Sequence, residues 1–425
     1  MIRLHPLPDT DHLCAYCQVP LETLGWYIPG MRNLASLRCP ACAREFYGDL
    51  AAGQALYSPQ LLEKETGRVH DAHNVEWFAG WLREAYARRA SEPLPFEVQE
   101  RRPLTRAVVL LNCLDTIYGH ALLKLLNAQY YLDHRPDVDL ILMIPRCLVW
   151  MIPEGVAQVW VVDLPLRRGT EWNDWLGHEI HRRMEAFEAA FLSVAFSHPH
   201  PDDYDIERFT RVNPFPLDEW AARLKRPTVT FIWRDDRLWR APLDASSTYL
   251  EKAKQRFRRA ASNPLRGQRR LVCELAERLK QEWPALDFAV AGLGRAGDFP
   301  GWITDLRRTA IDSAIEREWC ARYASSHVVC GAHGSNMLLP SAHAGATVEL
   351  LGSERWGNYL QDILFRRGDC RETFFRYRFV PETTTPAMLA DLLNLLLRKH
   401  HGLQLLMSPQ YCKHGIDYRL LHRQP

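Results

Sequence analysis

The stretch Ser325–Leu351, SSHVVCGAHGSNMLLPSAHAGATVELL, decides the reading of the fold. His327–Cys330 is a short apolar, β-branched run, the mark of a buried strand. A small-residue turn follows, then a helical stretch over Ser335–His343 and a second strand over Ala346–Leu351. Strand, glycine turn, helix and strand form the repeating unit of a parallel sheet, whose strands are joined through crossover helices. The same arrangement sets backbone N–H groups and the positive end of a helix where a phosphate can meet them. Gly334 lets the backbone approach closely, and Ser335 is placed to be the helix N-cap. The plainer alternative is an ordinary turn of a parallel sheet that binds nothing.

The alternation continues on both sides of this stretch. Upstream, Ala107–Asn112, Val138–Ile144 and Gln158–Asp163 read as strands, with helices over Gly119–Leu132 and Trp175–Phe191. A proline-bounded junction at Lys225–Pro227 opens a second run. Its strands are Thr228–Trp233, Asp287–Ala291, His327–Cys330 and Thr347–Leu351, and its helices are Gln268–Trp283, Ile311–Ala324 and Ser335–His343. Strands alternating with helices predict an α/β fold of two Rossmann-like domains facing a cleft, at 106–225 and 226–425, with the last helix, Pro386–His401, packing back. Ahead of them, residues 1–50 form a small cysteine-bearing module. Residues 51–105 read as a helical linker region, in which Glu76–Arg89 spaces Trp77, Trp81 and Tyr86 helically and Ser91–Pro103 is a proline-marked connection.

Composition narrows the class. A chain of 425 residues with 47% hydrophobic and 24% charged residues has ample core for two or three soluble domains. Its net charge of +2 is too small for wholesale binding to nucleic acid or membrane. No apolar run reaches the roughly 18 residues of a membrane span, and Met1–Leu13 has no signal-peptide core, so a cytoplasmic protein is expected. Of eleven cysteines, four cluster in metal-like spacing and seven are scattered, unlike a secreted disulfide framework.

Those four are Cys14-x-x-Cys17 and Cys39-x-x-Cys42, with 21 residues between the pairs. Each knuckle presents two thiolates to one tetrahedral ion, the form of a zinc ribbon. Four sulfurs fill the coordination sphere, so the zinc is expected to be structural. Gly292-x-Gly294-x-x-Gly297 matches a dinucleotide fingerprint in letters, but Asp298-Phe299-Pro300-Gly301 stops the helix such a motif must open, so it reads as a loop. Thr230–Arg240 begins as a strand and ends in Arg234-Asp235-Asp236-Arg237, where strand ends of open α/β sheets hold ligands. Arg234 and Arg237 offer bidentate contacts to a pyrophosphate, and Trp233 or Trp239 a stacking surface; a surface salt-bridge loop is the alternative.

Asp115 and His120 share a strand-to-helix loop, where a general base would sit. His178, His181, His198 and His200 lack the spacing of a metalloprotease motif and read as surface residues. Lys252–Arg270 carries eight basic residues and reads first as a solvated helix face, with peripheral membrane or nucleic-acid contact as the alternative.

Together these pieces resemble a two-domain glycosyltransferase of the GT-B type, and are similar to glycosyltransferase family 61 and its bacterial relatives. The similarity lies in Tyr118-Gly119-His120-Ala121-Leu122-Leu123, loosely in Trp233–Arg237, and most fully in Gly331–Asn336 followed by Gly345-Ala346-Thr347-Val348-Glu349-Leu350. It spans roughly residues 106–400 and leaves out the zinc-ribbon-like module. The resemblance implies a nucleotide-sugar donor in the second domain and a glycan, lipid or protein acceptor in the first. The expected chemistry is metal-independent, inverting transfer. Asp115 or His120 is the base, and Arg234, Arg237, Gly334, Ser335 and Asn336 hold the diphosphate beside His333. Glu349 reaches ribose hydroxyls or packs in its strand. Two other readings stay open: a nucleotide-sugar epimerase of the same fold, and a zinc-ribbon protein that binds nucleic acid without catalysis.

Overall fold

A computed structural model describes residues 1–104, 107–195, 199–200, 203–240, 264–366 and 370–407. The chain divides into two compact units, Met1–Phe209 and Thr210–Pro425. The division falls ahead of Lys225 because Phe215 and Trp220 are buried in the second core, and the Phe215 N–H donates to the carbonyl of His343 at 2.7 Å.

Unit 1 contains two sheets. Its strands in chain order are β1 (Ile2–Arg3), β2 (Glu22–Tyr27), β3 (Leu34–Arg38), β4 (Glu45–Asp49), β5 (Leu61–Glu63), β6 (Val69–His70), β7 (Phe96–Glu100), β8 (Ala107–Asn112), β9 (Val138–Pro145), β10 (Gln158–Val162) and β11 (Ala190–Leu192). Strands β2 to β6 form an antiparallel meander. The other six run in the order β1-β11-β8-β9-β10-β7, with β8 to β11 mutually parallel and both edge strands antiparallel. The parallel strands are mostly apolar runs such as AVVLLN and VDLILMIP because both faces are covered. One core serves both sheets: Trp26, Ile28 and Phe46 of the meander pack in a cluster with Val108, Ile141 and Trp160.

The expected helical linker is corrected here. Residues 51–105 hold a 3₁₀ turn at Gly53–Leu56 and the helix Glu76–Ala87, but otherwise supply strands β5, β6 and β7. The meander therefore runs on to His70, beyond the expected boundary at residue 50. β7 hides in the proline-marked connection, where Phe-Glu-Val-Gln-Glu alternates with the period of an edge strand and pairs antiparallel with β10. The helix read as Gly119–Leu132 is two, Tyr118–Leu126 and Ala128–His134, broken where the Asn127 amide donates back to the carbonyls of Leu123 and Lys124. The helix read as Trp175–Phe191 is Asp174–Met184, capped by the Asn173 side chain, and its expected tail is the strand β11.

Unit 2 is one parallel sheet. Its strands are β12 (Thr228–Trp233), β13 (Asp287–Leu293), β14 (Thr304–Arg308), β15 (Val328–Ala332), β16 (Ala346–Leu351) and β17 (Tyr377–Pro381). They lie in the order β14-β13-β12-β15-β16-β17, every pair parallel. This is a doubly wound sheet, and its winding reverses between β12 and β15. The helices Pro264–Glu282 and Pro386–Met407 share one core through Leu271, Leu275 and Leu279 with Leu389, Leu393 and Leu396. Among the described residues no helix is long and apolar enough to cross a membrane.

Candidate functional site

The reversal point of the unit 2 sheet is where two strand ends diverge to leave a crevice, and the candidate residues of this unit gather there. β12 delivers Arg234 and Arg237, and β15 delivers His333 to Asn336. Gly334 has a φ of +149°, and a Cβ built on it would stand 2.2 Å from Arg234 Nη1 and 2.6 Å from Arg237 Nη1. Only the bare glycine backbone lets both guanidinium groups close on one turn. Arg237 Nη1 donates to the His333 carbonyl at 2.9 Å, and Arg234 Nη1 to Asn336 Oδ1 at 2.7 Å. Arg234 is also gripped by Asp236, at 2.8 and 2.5 Å, which orients it and offsets part of its charge. Buried Gln268 pins this loop, donating to the Arg234 carbonyl and accepting from the Trp239 N–H.

Behind the turn, His333 and Glu349 are both buried, and His333 Nδ1 meets Glu349 Oε2 in a short contact. Burial lowers the His333 imidazole to about 4, helped by the charges of Arg237, Arg355 and Arg234. Burial pushes Glu349 far above the carboxylate range, with Asp362 adding to it. Burial also lowers Arg237, with Arg234 and Arg355 pressing in the same direction. Two residues that the sequence reading did not single out therefore complete the surroundings. Arg355 lies on the 3₁₀ turn Ser353–Asn358 after β16, and Asp362 Oδ2 is 3.3 Å from His333 Nε2, off the line of a hydrogen bond. Their only sequence signal is a position just past the end of a strand neighbouring the reversal point.

Several expectations are corrected. Glu349 is fully buried against His333 and presents no oxygen to a ribose. Ser335 is not the N-cap; Gly334 holds that position with no side-chain bond, and the helix starts as a 3₁₀ turn, Ser335–Met337, before Leu338–His343. With so short a helix, the arginines rather than the helix end carry the positive charge. Trp233 and Trp239 are core residues whose indole N–H groups donate to Asp235 and to the Thr384 carbonyl, so neither stacks on a ligand. The glycine-rich loop opens no helix, as its sequence leads one to expect, and Gly292, at φ +124°, lies against the Trp233 backbone, so its glycine serves packing.

In unit 1, Asp115 follows β8 and is buried. Burial alone would raise its carboxyl, but Lys124 Nζ at 2.8 Å and His120 Nδ1 at 3.5 Å hold it well below the usual range. A carboxylate so stabilised is a poor proton acceptor. His120, partly exposed on the first turn of Tyr118–Leu126, turns its Nδ1 toward Asp115. Beside Asp115 and Lys124 a small cavity of mixed lining takes polar groups from Arg32, Asn33, Asp49 and Asn112 and apolar ones from Met31 and Phe78. Of the histidines, His181 pairs with Glu185 and packs on Trp26, and His178 packs on Tyr27. His198, Asp202, Lys252, Lys254, Arg256, Arg258 and Arg259 lie outside the described residues.

The four cysteines converge. Their Sγ atoms all lie within 4.8 Å of one another, and Cys14 and Cys42 are 3.7 Å apart. Bonds of about 2.3 Å at tetrahedral angles would separate sulfurs by about 3.8 Å. The two knuckles share a conformation: Gln18 and Ala43 both have positive φ, and their N–H groups return to the carbonyls of Cys14 and Cys39. These are the dimensions and donor set of a metal site.

No protein-family model matches the chain, and no curated protein matches it. Among solved structures it is similar to the ADP-heptose lipopolysaccharide heptosyltransferase II of E. coli, at 13% identity and a TM-score of 0.38, over 70% of this chain and 100% of that one. The E. coli heptosyltransferase WaaC with ADP gives 10%, 0.37, 70% and 100%. A Listeria monocytogenes protein described as a UDP-N-acetylglucosamine 2-epimerase gives 8%, 0.38, 74% and 98%. Scores at this level carry no argument about activity, and the α/β architecture rests on the sheets described above.

Proposed function

We propose that the chain is a glycosyltransferase using a nucleotide-sugar donor, and that the four cysteines hold a structural zinc ion. One observation carries the first part: two guanidinium groups close on a glycine turn at the reversal point of a doubly wound sheet. Arg234, Arg237 and the turn Gly334–Asn336 hold the donor diphosphate. The charge that builds on a departing nucleoside diphosphate is met by cations already in place, so the proposed reaction needs no catalytic metal. Unit 1 supplies the base in this reading. His120 takes the acceptor proton, and Asp115, held ionised by Lys124, orients the ring and stabilises the imidazolium that forms. The anomeric centre inverts, and the acceptor is a glycan, lipid or protein.

The test is thermal denaturation against a panel of nucleotide sugars, because a ligand that binds only the folded state must raise Tm. At least one should do so, and Arg234→Ala or Arg237→Ala should abolish the rise. Loss of the donor sugar without any acceptor would favour the epimerase, and no shift with any donor would sink both.

A further inference from the structure

The His333–Glu349 contact is not needed to hold a diphosphate, yet it is the most enclosed polar pair of the site. Both side chains are buried, and Glu349 Oε1 and His333 Nε2 have no hydrogen-bond partner. A carboxylate left so poorly solvated would be costly, whereas an uncharged acid donating from Oε2 to Nδ1 leaves only a carbonyl-like oxygen unpaired. With Nδ1 accepting, the imidazole carries its proton on Nε2, the atom facing Asp362. Among the described residues, the titratable and charged groups around the ring are Glu349, Asp362, Arg234, Arg237 and Arg355.

We infer that Glu349 and His333 form a proton couple for the bound anion, with Glu349 a positioning residue and His333 Nε2–H the group that contacts a phosphoryl oxygen. This rests on the diphosphate reading above. In the free protein the pair is carboxylic acid and imidazole. When an anion enters, the Glu349 Oε2–H bond breaks and the His333 Nδ1–H bond forms. No proton is taken from solvent: the pair changes from two neutral groups to a buried carboxylate and an imidazolium turned toward the anion. Burial disfavours a cationic His333 most in the free protein, and the charges of Arg237, Arg355 and Arg234 add to it. The anion offsets those charges and pairs directly with the ring, which favours the proton's crossing. Asp362, whose Oδ2 lies 3.3 Å from Nε2, gives way to the phosphoryl oxygen.

The experiment is nitrogen-15 NMR of the full chain labelled at histidine, with His333→Gln to assign the ring, recorded with and without inorganic pyrophosphate. The free protein should show a neutral ring protonated on Nε2, and saturating pyrophosphate should move both nitrogens to imidazolium values. Glu349→Gln, whose amide can donate to Nδ1 but cannot give up a proton, should keep the resting tautomer and stay neutral when pyrophosphate binds. Asp362→Asn, at a partly exposed position, should bind pyrophosphate at least threefold more tightly. A resting ring protonated on Nδ1 overturns the inference, as do bound pyrophosphate with an unmoved ring and weaker binding by Asp362→Asn. Failure of pyrophosphate, UDP and ADP to bind the wild-type chain overturns the diphosphate reading as well, which separates the two.

Discussion

Gly334 shows how one residue type fixes a site. Gly334→Ala meets two costs, a φ of +149° and a Cβ 2.2 Å from Arg234 Nη1. The guanidinium ends can swing away, so the expected loss of stability is modest, about 1–3 kcal/mol. The loss of pyrophosphate binding should be much larger, since the displaced groups are the ones proposed to hold it; calorimetric titration beside urea denaturation separates the two effects. His343 gives a prediction of a different kind. Its Nδ1–H donates to the Leu339 carbonyl and its Nε2 accepts from Thr210 Oγ1–H, so the ring is held neutral, and burial lowers it to about 4. Below an ordinary histidine value of about 6.5 the unfolded chain takes up a proton that the folded chain refuses. Stability therefore falls as pH drops from about 6.5 toward 4, by about 2 kcal/mol at pH 5 from this residue. His343→Gln should flatten that part of the pH dependence whatever it does to stability at pH 7; an unchanged slope between pH 7 and pH 5 would count against it.

At the scale of elements, legibility followed the strength of the local signal. β8 and β12 are mostly apolar or β-branched runs and were readable to the residue, as Ala107–Asn112 and Thr228–Trp233. β7, β14 and β17 were not, because edge strands alternate or carry charges, as in Thr-Asp-Leu-Arg-Arg, and resemble loops until a neighbour pairs with them. The arginine turn was legible because it follows a clean strand. Arg355 and Asp362 were not, since a sequence does not show which strand ends become neighbours. The same holds for Glu349, whose period in β16 suits either a ligand or the histidine beneath it. The cysteine spacing was legible because it is local, and the structure adds a ranking of the knuckle residues. Cys39 is buried and receives the Cys42 N–H, so Cys39→Ser should unfold the meander more completely than Cys17→Ser, which circular dichroism and zinc content would report together. Asp312, whose Oδ1 accepts from the N–H groups of Ala314 and Ile315, caps Ser313–Ala324, and Asp312→Ala should cost about 1 kcal/mol.

At the scale of the molecule, the two units have separate cores and separate sources of stabilisation, and this makes their unfolding separable. Unit 1 owns the cysteine site and shares one cluster between meander and parallel sheet, from Trp26 and Phe46 to Val108 and Ile141. Withdrawing a metal from four thiolates should therefore weaken the whole of unit 1 rather than the meander alone, by an amount set by a site worth about 10–16 kcal/mol in isolated zinc-finger peptides. Unit 2 owns Arg234, Arg237 and the buried His343, so pyrophosphate should raise its transition and acid should lower it. A ligand at 100 times its Kd adds about 2.7 kcal/mol to the unit that binds it. Scanning calorimetry of the full chain should then show two transitions that respond to different reagents. A zinc chelator should shift one, pyrophosphate should shift the other, and Arg234→Ala should erase the second response without touching the first. A single transition moved equally by both reagents would mean that the two cores unfold as one, and that the stability of the candidate anion site depends on the cysteines of the other unit.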